Sequence, residues 1–307
     1  LKVSSIIFII FQLSCVQYKK RENIIFATAG KIESLDPAQA NTLRTLQILS
    51  ALGDTLYKIN KQGNLYPVLA KDLPKVSKDG LIIDIPLKED VSFHDGSLFN
   101  ANAMKFSLER FMNIGTLNYL LNDKIEDIEV KDEYLIRLKL KKPSSSIKSL
   151  LTSVNLTPIS PNSYSNYKDS FNNKNFIGTG PYFLESFSSS QQIIKPFNKY
   201  WGEKPLNKGI DLINYSNSST LFGAIKTKEV DVLISNSIDD MQRLTLNNMV
   251  NKDQLKSGEG DPIEIGFITF KSNNIPLANK TIREALAYTI DRELISKQVS
   301  FGNREPL

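Results

Sequence analysis

One cysteine and one histidine are all that this 307-residue chain holds of two common metal-binding side chains, so neither an internal disulfide nor a Cys/His metal cluster can be built. Catalytic signatures are equally scarce. No Gly-x-Ser-x-Gly elbow or Walker A loop occurs, and Gly178-Thr179-Gly180 lacks the third glycine of a dinucleotide fingerprint before it runs into Pro181. No cofactor and no metal are expected, and the chain is not expected to be an enzyme. Its abundant serines and lysines leave a Ser–Lys hydrolase on an α/β fold as the remaining catalytic alternative. Long apolar runs are also missing, and no internal segment approaches membrane-spanning length. Nor is charge of one sign gathered together. Thirty-eight basic and 33 acidic residues give a net +5, but the signs interleave, as in Lys88-Glu89-Asp90 and Arg283-Glu284. A nucleic-acid binder collects its cations into stripes, so no nucleic-acid partner is expected. Glycine is low at 15 residues, yet apolar positions recur periodically, which marks a compositional bias rather than disorder. A chain of this length can bury more than one core.

The cysteine is informative by its position. Lys2 precedes a stretch from Val3 to Phe11 in which seven of nine residues are apolar, followed by Gln12-Leu13-Ser14-Cys15. That order reads as a signal peptide over residues 1–15, with cleavage before Cys15 and acylation of its sulfur, and a polar tether over 16–23. The alternative is a frayed apolar N-terminus carrying an incidental thiol.

Downstream, the apolar run at Ile24 reads as a buried strand, and Leu43 to Leu56 has near-helical spacing interrupted at Gly53-Asp54. Residues 63–93 alternate turns and strands, with Pro86 at an edge or bulge. Asn100 can cap a helix reaching about Phe111, with Met104, Leu108 and Phe111 on one face. A hairpin follows, turning at Lys131-Asp132, with Tyr134, Ile136, Leu138 and Leu140 facing one side. The polar stretch from Ser160 to Asn175 suits a domain crossing. Strands are expected at 182–187, 192–196, 210–214, 230–234 and 263–270, the fourth of them buried, with a helix starting near Thr220. Thr281 and Glu284 suit a capping box for a closing helix whose apolar face is Ile282, Leu286, Ile290 and Leu294. The mixture is α/β.

Two features admit a functional and a structural reading. His94, followed by Asp95-Gly96, reads better as a turn residue satisfying local backbone groups than as a general base. Tyr200-Trp201-Gly202 reads better as an aromatic plug at a strand turn than as a ligand-stacking platform.

Several motifs occur in one order along the chain: Leu35-Asp36-Pro37, Tyr66-Pro67-Val68-Leu69-Ala70, Lys78-Asp79-Gly80 and the segment from Leu87 to Gly96 continuing to Arg110. They are followed by Phe176-Ile177-Gly178-Thr179-Gly180-Pro181-Tyr182, Asn198-Lys199-Tyr200-Trp201-Gly202 and the segment from Ile282 to Arg292. Together they resemble the peptide/nickel-type (family 5) extracellular solute-binding proteins, the capture subunits of ABC importers. The resemblance implies a type II periplasmic-binding-protein architecture, with lobe I over 24–45 and 178–260, lobe II over 46–177, and a lobe III only begun over 261–307. It implies capture of a peptide or other small solute, ABC permease and ATPase subunits as partners, and a periplasmic, membrane-anchored location through the lipid on Cys15. On the same template the chain looks truncated at its C-terminus, which makes a split-gene or remnant half without independent binding activity the alternative, unless a second chain supplies lobe III. Ligand contacts carried over from the resemblance are Asn41, Thr42 and Leu43 after the opening turn, and Ser235 and Asn236 at a strand end. Ordinary solvated loop is the competing reading for all five.

Overall fold

The computed structural model describes residues 22–164, 176–234, 237–258, 260, 265–302 and 304–306. The expected signal segment with Cys15, most of the tether, Ser235, Asn236 and most of the polar crossing lie outside the described residues.

The apolar run at Ile24 becomes β1 (Ile24–Ala29). It is followed by α1 (Leu43–Leu52), β2 (Tyr57–Ile59), β3 (Leu65–Pro67), β4 (Lys75–Val76), β5 (Ile82–Pro86) and α2 (Ala101–Ile114). Then come α3 (Tyr119–Asn122), β6 (Ile125–Asp132), β7 (Leu135–Leu140) and α4 (Ile147–Leu150). The remainder contributes β8 (Tyr182–Phe187), β9 (Gln191–Pro196), β10 (Ile210–Tyr215), α5 (Ser218–Lys226), β11 (Val232–Leu233), α6 (Asp240–Asn251), α7 (Lys280–Tyr288) and α8 (Arg292–Val299).

Two larger sheets organise these elements, and β2 and β3 pair as a separate antiparallel ribbon. In the first, ordered β11-β1-β10-β9-β8, β1 runs parallel to β10 and β11, while β9 and β8 continue antiparallel. Successive side chains point to opposite faces of a strand, and both faces of β1 are covered. Phe26 packs with Ile48, Leu49 and Leu52 of α1, and Ala27 packs on the other face with Leu221, Ala224 and Ile225 of α5 and Leu246 of α6. The second sheet, β4-β5-β7-β6, is antiparallel throughout. Its Ile83, Ile85, Ile136 and Leu138 meet Met104, Leu108 and Phe111 of α2 in the largest apolar cluster. Asn100 caps α2 by accepting from the Ala103 amide, as its position predicts, and the helix runs on to Ile114.

The chain passes between the two sheets twice, just after α1 and just before β8, and the two passages pack backbone against backbone. Gly180 donates its amide to the Leu52 carbonyl at 3.0 Å. A Cβ on Gly180 would sit 2.4 Å from the Leu52 carbonyl carbon and 2.5 Å from the Gly53 nitrogen, so only glycine fits. Thr179 is fully buried, and its hydroxyl accepts from the Asp54 amide at 3.2 Å.

His94 clamps the same junction. Its amide donates to the Gly178 carbonyl at 2.9 Å, and the Gly178 amide donates to Nδ1 at 3.3 Å. The ring proton therefore sits on Nε2, which donates to the Gly180 carbonyl at 3.0 Å. Phe197 stands edge-on to the imidazole at 5.0 Å between ring centres. Burial pushes the His94 pKa down to about 4, against the opposing pull of the Gly180 carbonyl and Asp95. A neutral ring with both nitrogens bonded to backbone has no free basic nitrogen, which fits a structural role, but the groups it satisfies belong to the distant Gly178 and Gly180 and not to the local turn that was expected.

Tyr200 and Trp201 close the junction from the other side. The indole Nε1 donates to buried Asp54 at 3.1 Å, and the Tyr200 hydroxyl reaches the same carboxylate at 3.4 Å. Burial raises the Asp54 pKa, opposed by Lys58 at 3.8 Å and by these two donors. The Lys88 ammonium lies 4.0 Å from the centre of the Trp201 ring. With its indole N–H and one face occupied by protein groups, Trp201 acts as the plug.

Five local expectations need correction. Pro86 ends an interior strand, not an edge strand; it escapes the donor problem because two-residue β4 has already stopped alongside it. The hairpin turns two residues later, at Glu133-Tyr134, because β6 carries two register shifts that absorb extra residues. The strand expected at 230–234 shrinks to β11 at the sheet edge, where Val232 is 41% exposed. Residues 265–270, the described part of the strand expected at 263–270, pair with no strand among the described residues, and Ile265, Phe267 and Ile268 are exposed. A strand needs a neighbour for its amides and carbonyls. The closing helix is two helices: Asn279 rather than Thr281 caps α7, and Asp291 caps α8 by accepting from the Leu294 amide. An aspartate so placed starts a new helix instead of continuing the old one. Neither helix buries a residue.

A candidate ligand site at the strand ends

Parallel strands present ligand-binding loops beyond their C-terminal ends. Here those ends are Ala29 of β1, Tyr215 of β10 and Leu233 of β11. Gly30, just past β1, donates its amide to the Tyr215 carbonyl at 2.7 Å and holds φ at +98°. Thr28, two residues earlier, hydrogen-bonds the Ser237 hydroxyl at 2.7 Å and so ties Ser237 to β1. Asn214 sits opposite Thr28 and donates to Gln192 at 3.0 Å, while its own Oδ1 is buried without a partner.

The segment leading to α1 is brought to the same edge by a buried ion pair. Arg110 donates to Asp36 through Nη1 at 2.7 Å and Nη2 at 2.6 Å, with side chains 4% and 1% exposed. Asp36 also accepts from the Ala38 amide at 3.0 Å, and Asn155 donates to the carbonyls of Pro37 and Ala40, both at 2.8 Å. The loop is thus fixed from both sides before Thr42 caps α1 by accepting from the Thr45 amide at 3.3 Å.

Of the expected contact residues, Asn41 and Thr42 are exposed and Leu43 is partly buried, all at the start of α1. Thr42 is already engaged as the cap. Ser235 and Asn236 lie outside the described residues. Among the described residues, the Ser237 amide donates to the Ile234 carbonyl at 3.0 Å. Sequence reasoning missed Thr28, Gly30, Ser237 and, above all, Arg44, whose guanidinium lies against Gly30. The glycine after a buried strand was the available signal for Gly30. Nothing local marked the other three.

Elsewhere, an open groove of about 460 Å³ lies between α2 and β6, lined by Asn102, Lys105 and Glu129 among others. Its lysines pair with neighbouring glutamates, Lys105 with Glu109 and Lys131 with Glu129, as on an ordinary solvated face. Among the described residues no three His, Cys, Asp or Glu side chains cluster as a metal site, and no helix is long and apolar enough to cross a membrane.

The model of the bacterial extracellular solute-binding proteins, family 5 (middle), matches residues 64–307. This chain belongs to that family. The glutathione-binding protein GsiB of Salmonella typhi is 28% identical over 291 residues, which cover 93% of this chain and 55% of the relative. Among solved structures, NikA from Brucella suis in complex with Fe(III)-EDTA superposes with a TM-score of 0.82 at 22% identity, over 92% of this chain and 57% of that one. A dipeptide-binding protein from Pseudoalteromonas sp. SM9913 in complex with Met-Leu gives 0.74 at 22% identity, covering 92% and 59%. The fold is therefore that of the periplasmic binding proteins, and the chain spans about half the length of the relatives it matches. For a family 5 protein, the Phe-His-Asp-Gly turn, the Gly-Thr-Gly-Pro passage and the Tyr-Trp-Gly plug acquire one physical account: all three meet at the junction between the two sheets.

Proposed function

We propose that this chain is the solute-capturing component of an ABC importer, taking up peptides or a related small solute outside the cytoplasmic membrane and delivering it to permease and ATPase subunits. The family match over residues 64–307 carries the reading. It is supported by the polar edge at the ends of β1, β10 and β11, where hydroxyl, amide and guanidinium groups gather above a rigid sheet. Asn41, Thr42, Leu43, Ser235 and Asn236 remain the proposed contacts. In this reading lobe I comprises 24–45 and 178–260, and lobe II comprises 46–177. That division agrees with the sheets, since the five-stranded one draws its strands only from 24–29 and 182–233, and the four-stranded one only from 75–140. A lobe III over 261–307, acylation of Cys15 and anchoring in the cell envelope complete the proposal.

Isothermal titration calorimetry of the purified chain with a mixed di- and tripeptide pool tests it, with saturable micromolar binding the expected result. A second reading, a half that captures solute only with another polypeptide, draws on α7 and α8, where Tyr288 is 91% and Val299 63% exposed. Heat-free titrations with a broad thermal transition would favour that reading over the autonomous binder.

A further inference from the structure

The geometry points to Arg44 as the receptor for an anionic group, a carboxylate in the first instance, on the captured solute; this rests on the capture function proposed above. Arg44 stands in the first turn of α1, and its guanidinium covers Gly30 at the end of β1, where a Cβ would come within 2.9 Å of its Cζ and Nη2. The bare glycine is what lets the planar group lie flat on the strand end. Its Nε is buried and has no hydrogen-bond partner. Among the described residues no carboxylate forms an ion pair with it, although Arg110, Arg137 and Arg243 all have acidic partners. An arginine always carries its charge, and leaving a buried donor unsatisfied is costly. Among the described residues Nε thus lacks an acceptor of the kind that a guanidinium edge is shaped to take, one oxygen of a carboxylate or phosphate pair.

The surroundings are consistent with this use. Thr28 and its register partner Asn214, two residues before Gly30, supply uncharged polar groups, and Ser237 joins them through its hydrogen bond to Thr28. The buried Oδ1 of Asn214 is a second unfilled hydrogen-bonding position, this time an acceptor.

The test compares alanyl-alanine with alanyl-alanine amide, which differ only in the terminal carboxylate, against the full chain. Calorimetry should give at least about tenfold tighter binding of the free acid. The Arg44 Nε–H resonance, identified by its loss in Arg44→Lys, should shift saturably with the acid alone. Arg44→Ala should bring the two peptides to equal affinity while still binding them, and Arg44→Lys should recover part of the preference. Equal affinities in the unsubstituted chain, or an Arg44 resonance unmoved by a peptide that binds, would overturn the assignment and leave the capture function standing. If neither peptide binds a chain with a dispersed spectrum, peptide capture and the Arg44 assignment fall together. A loss of thermal stability in Arg44→Ala with the preference for the acid intact would mean that Arg44 serves the fold instead.

Discussion

His94 offers a sharp test of how the two sheets are held together, because it is the only histidine in the chain. An unfolded imidazole protonates near pH 6.5, whereas in the folded protein burial holds the value down to about 4. The unfolded chain takes up the proton first as the pH drops. Stability contributed by the neutral ring is therefore complete above pH 6.5 and is lost progressively toward pH 4. The interval from 6.5 to about 4 corresponds to roughly 3 kcal/mol between the protonation states, of which about 2 kcal/mol is lost by pH 5. Protonation would also force Nδ1 to carry a hydrogen that points at the Gly178 amide, replacing an acceptor with a clash of donors. Urea denaturation of the wild type and His94→Gln at pH 7 and pH 5 isolates this effect, since titrating carboxylates contribute equally to both proteins. The wild type should lose about 2 kcal/mol more than the variant between those pH values. The single imidazole resonance in a proton NMR titration gives an independent reading. A midpoint near 6.5 in the folded protein, or identical pH dependence in the two proteins, would refute the clamp.

Other substitutions probe neighbouring parts of the same argument. Gly180→Ala drives a methyl into the Leu52 and Gly53 backbone and should cost at least about 2 kcal/mol, while Gly223→Ala, on the exposed side of α5 with open space around it, should stabilise by about 0.5–1 kcal/mol. Denaturant midpoints of the two variants should thus move in opposite directions. Arg110→Met leaves Asp36 buried and unpaired, so a loss of about 3–5 kcal/mol is expected by thermal or urea unfolding. Trp201→Phe removes the indole donor to Asp54 and should cost about 1–3 kcal/mol, visible as a lowered melting temperature.

Much of the fold could be read along the chain because the signals were periodic or punctuating. Asn100 before an amphipathic stretch fixed the start of α2, and alternation in Ile136, Leu138 and Leu140 fixed the inward face of β7. Errors fell where partners at a distance decide the outcome. The strand expected at 263–270 has the right residues but no neighbour among the described ones, and β11 sits at an edge that its apolar composition does not betray. For the candidate site, the contacts Asn41, Thr42, Leu43, Ser235 and Asn236 stay proposals carried from the family resemblance, and Arg44, whose buried Nε has no partner, was not legible at all. Arg44 is one of 38 basic residues, and sequence spacing gives no reason to single it out.

Sequence by itself determined the α/β class, the order of most strands and helices, the lack of a recognised catalytic motif and the family, because these depend on local periodicity and on ordered motifs. Tertiary structure alone decided what those motifs are for. Pairing Gly180 with Leu52, His94 with Gly178, Asp54 with Trp201 and Asp36 with Arg110 needs contacts across 74 to 147 residues, which no local pattern encodes. Arg44 meets Gly30 across only 14 residues, but that contact too depends on how α1 packs against β1. Only folding brings the start of α1 to the end of β1, and only there does a missing acceptor become apparent.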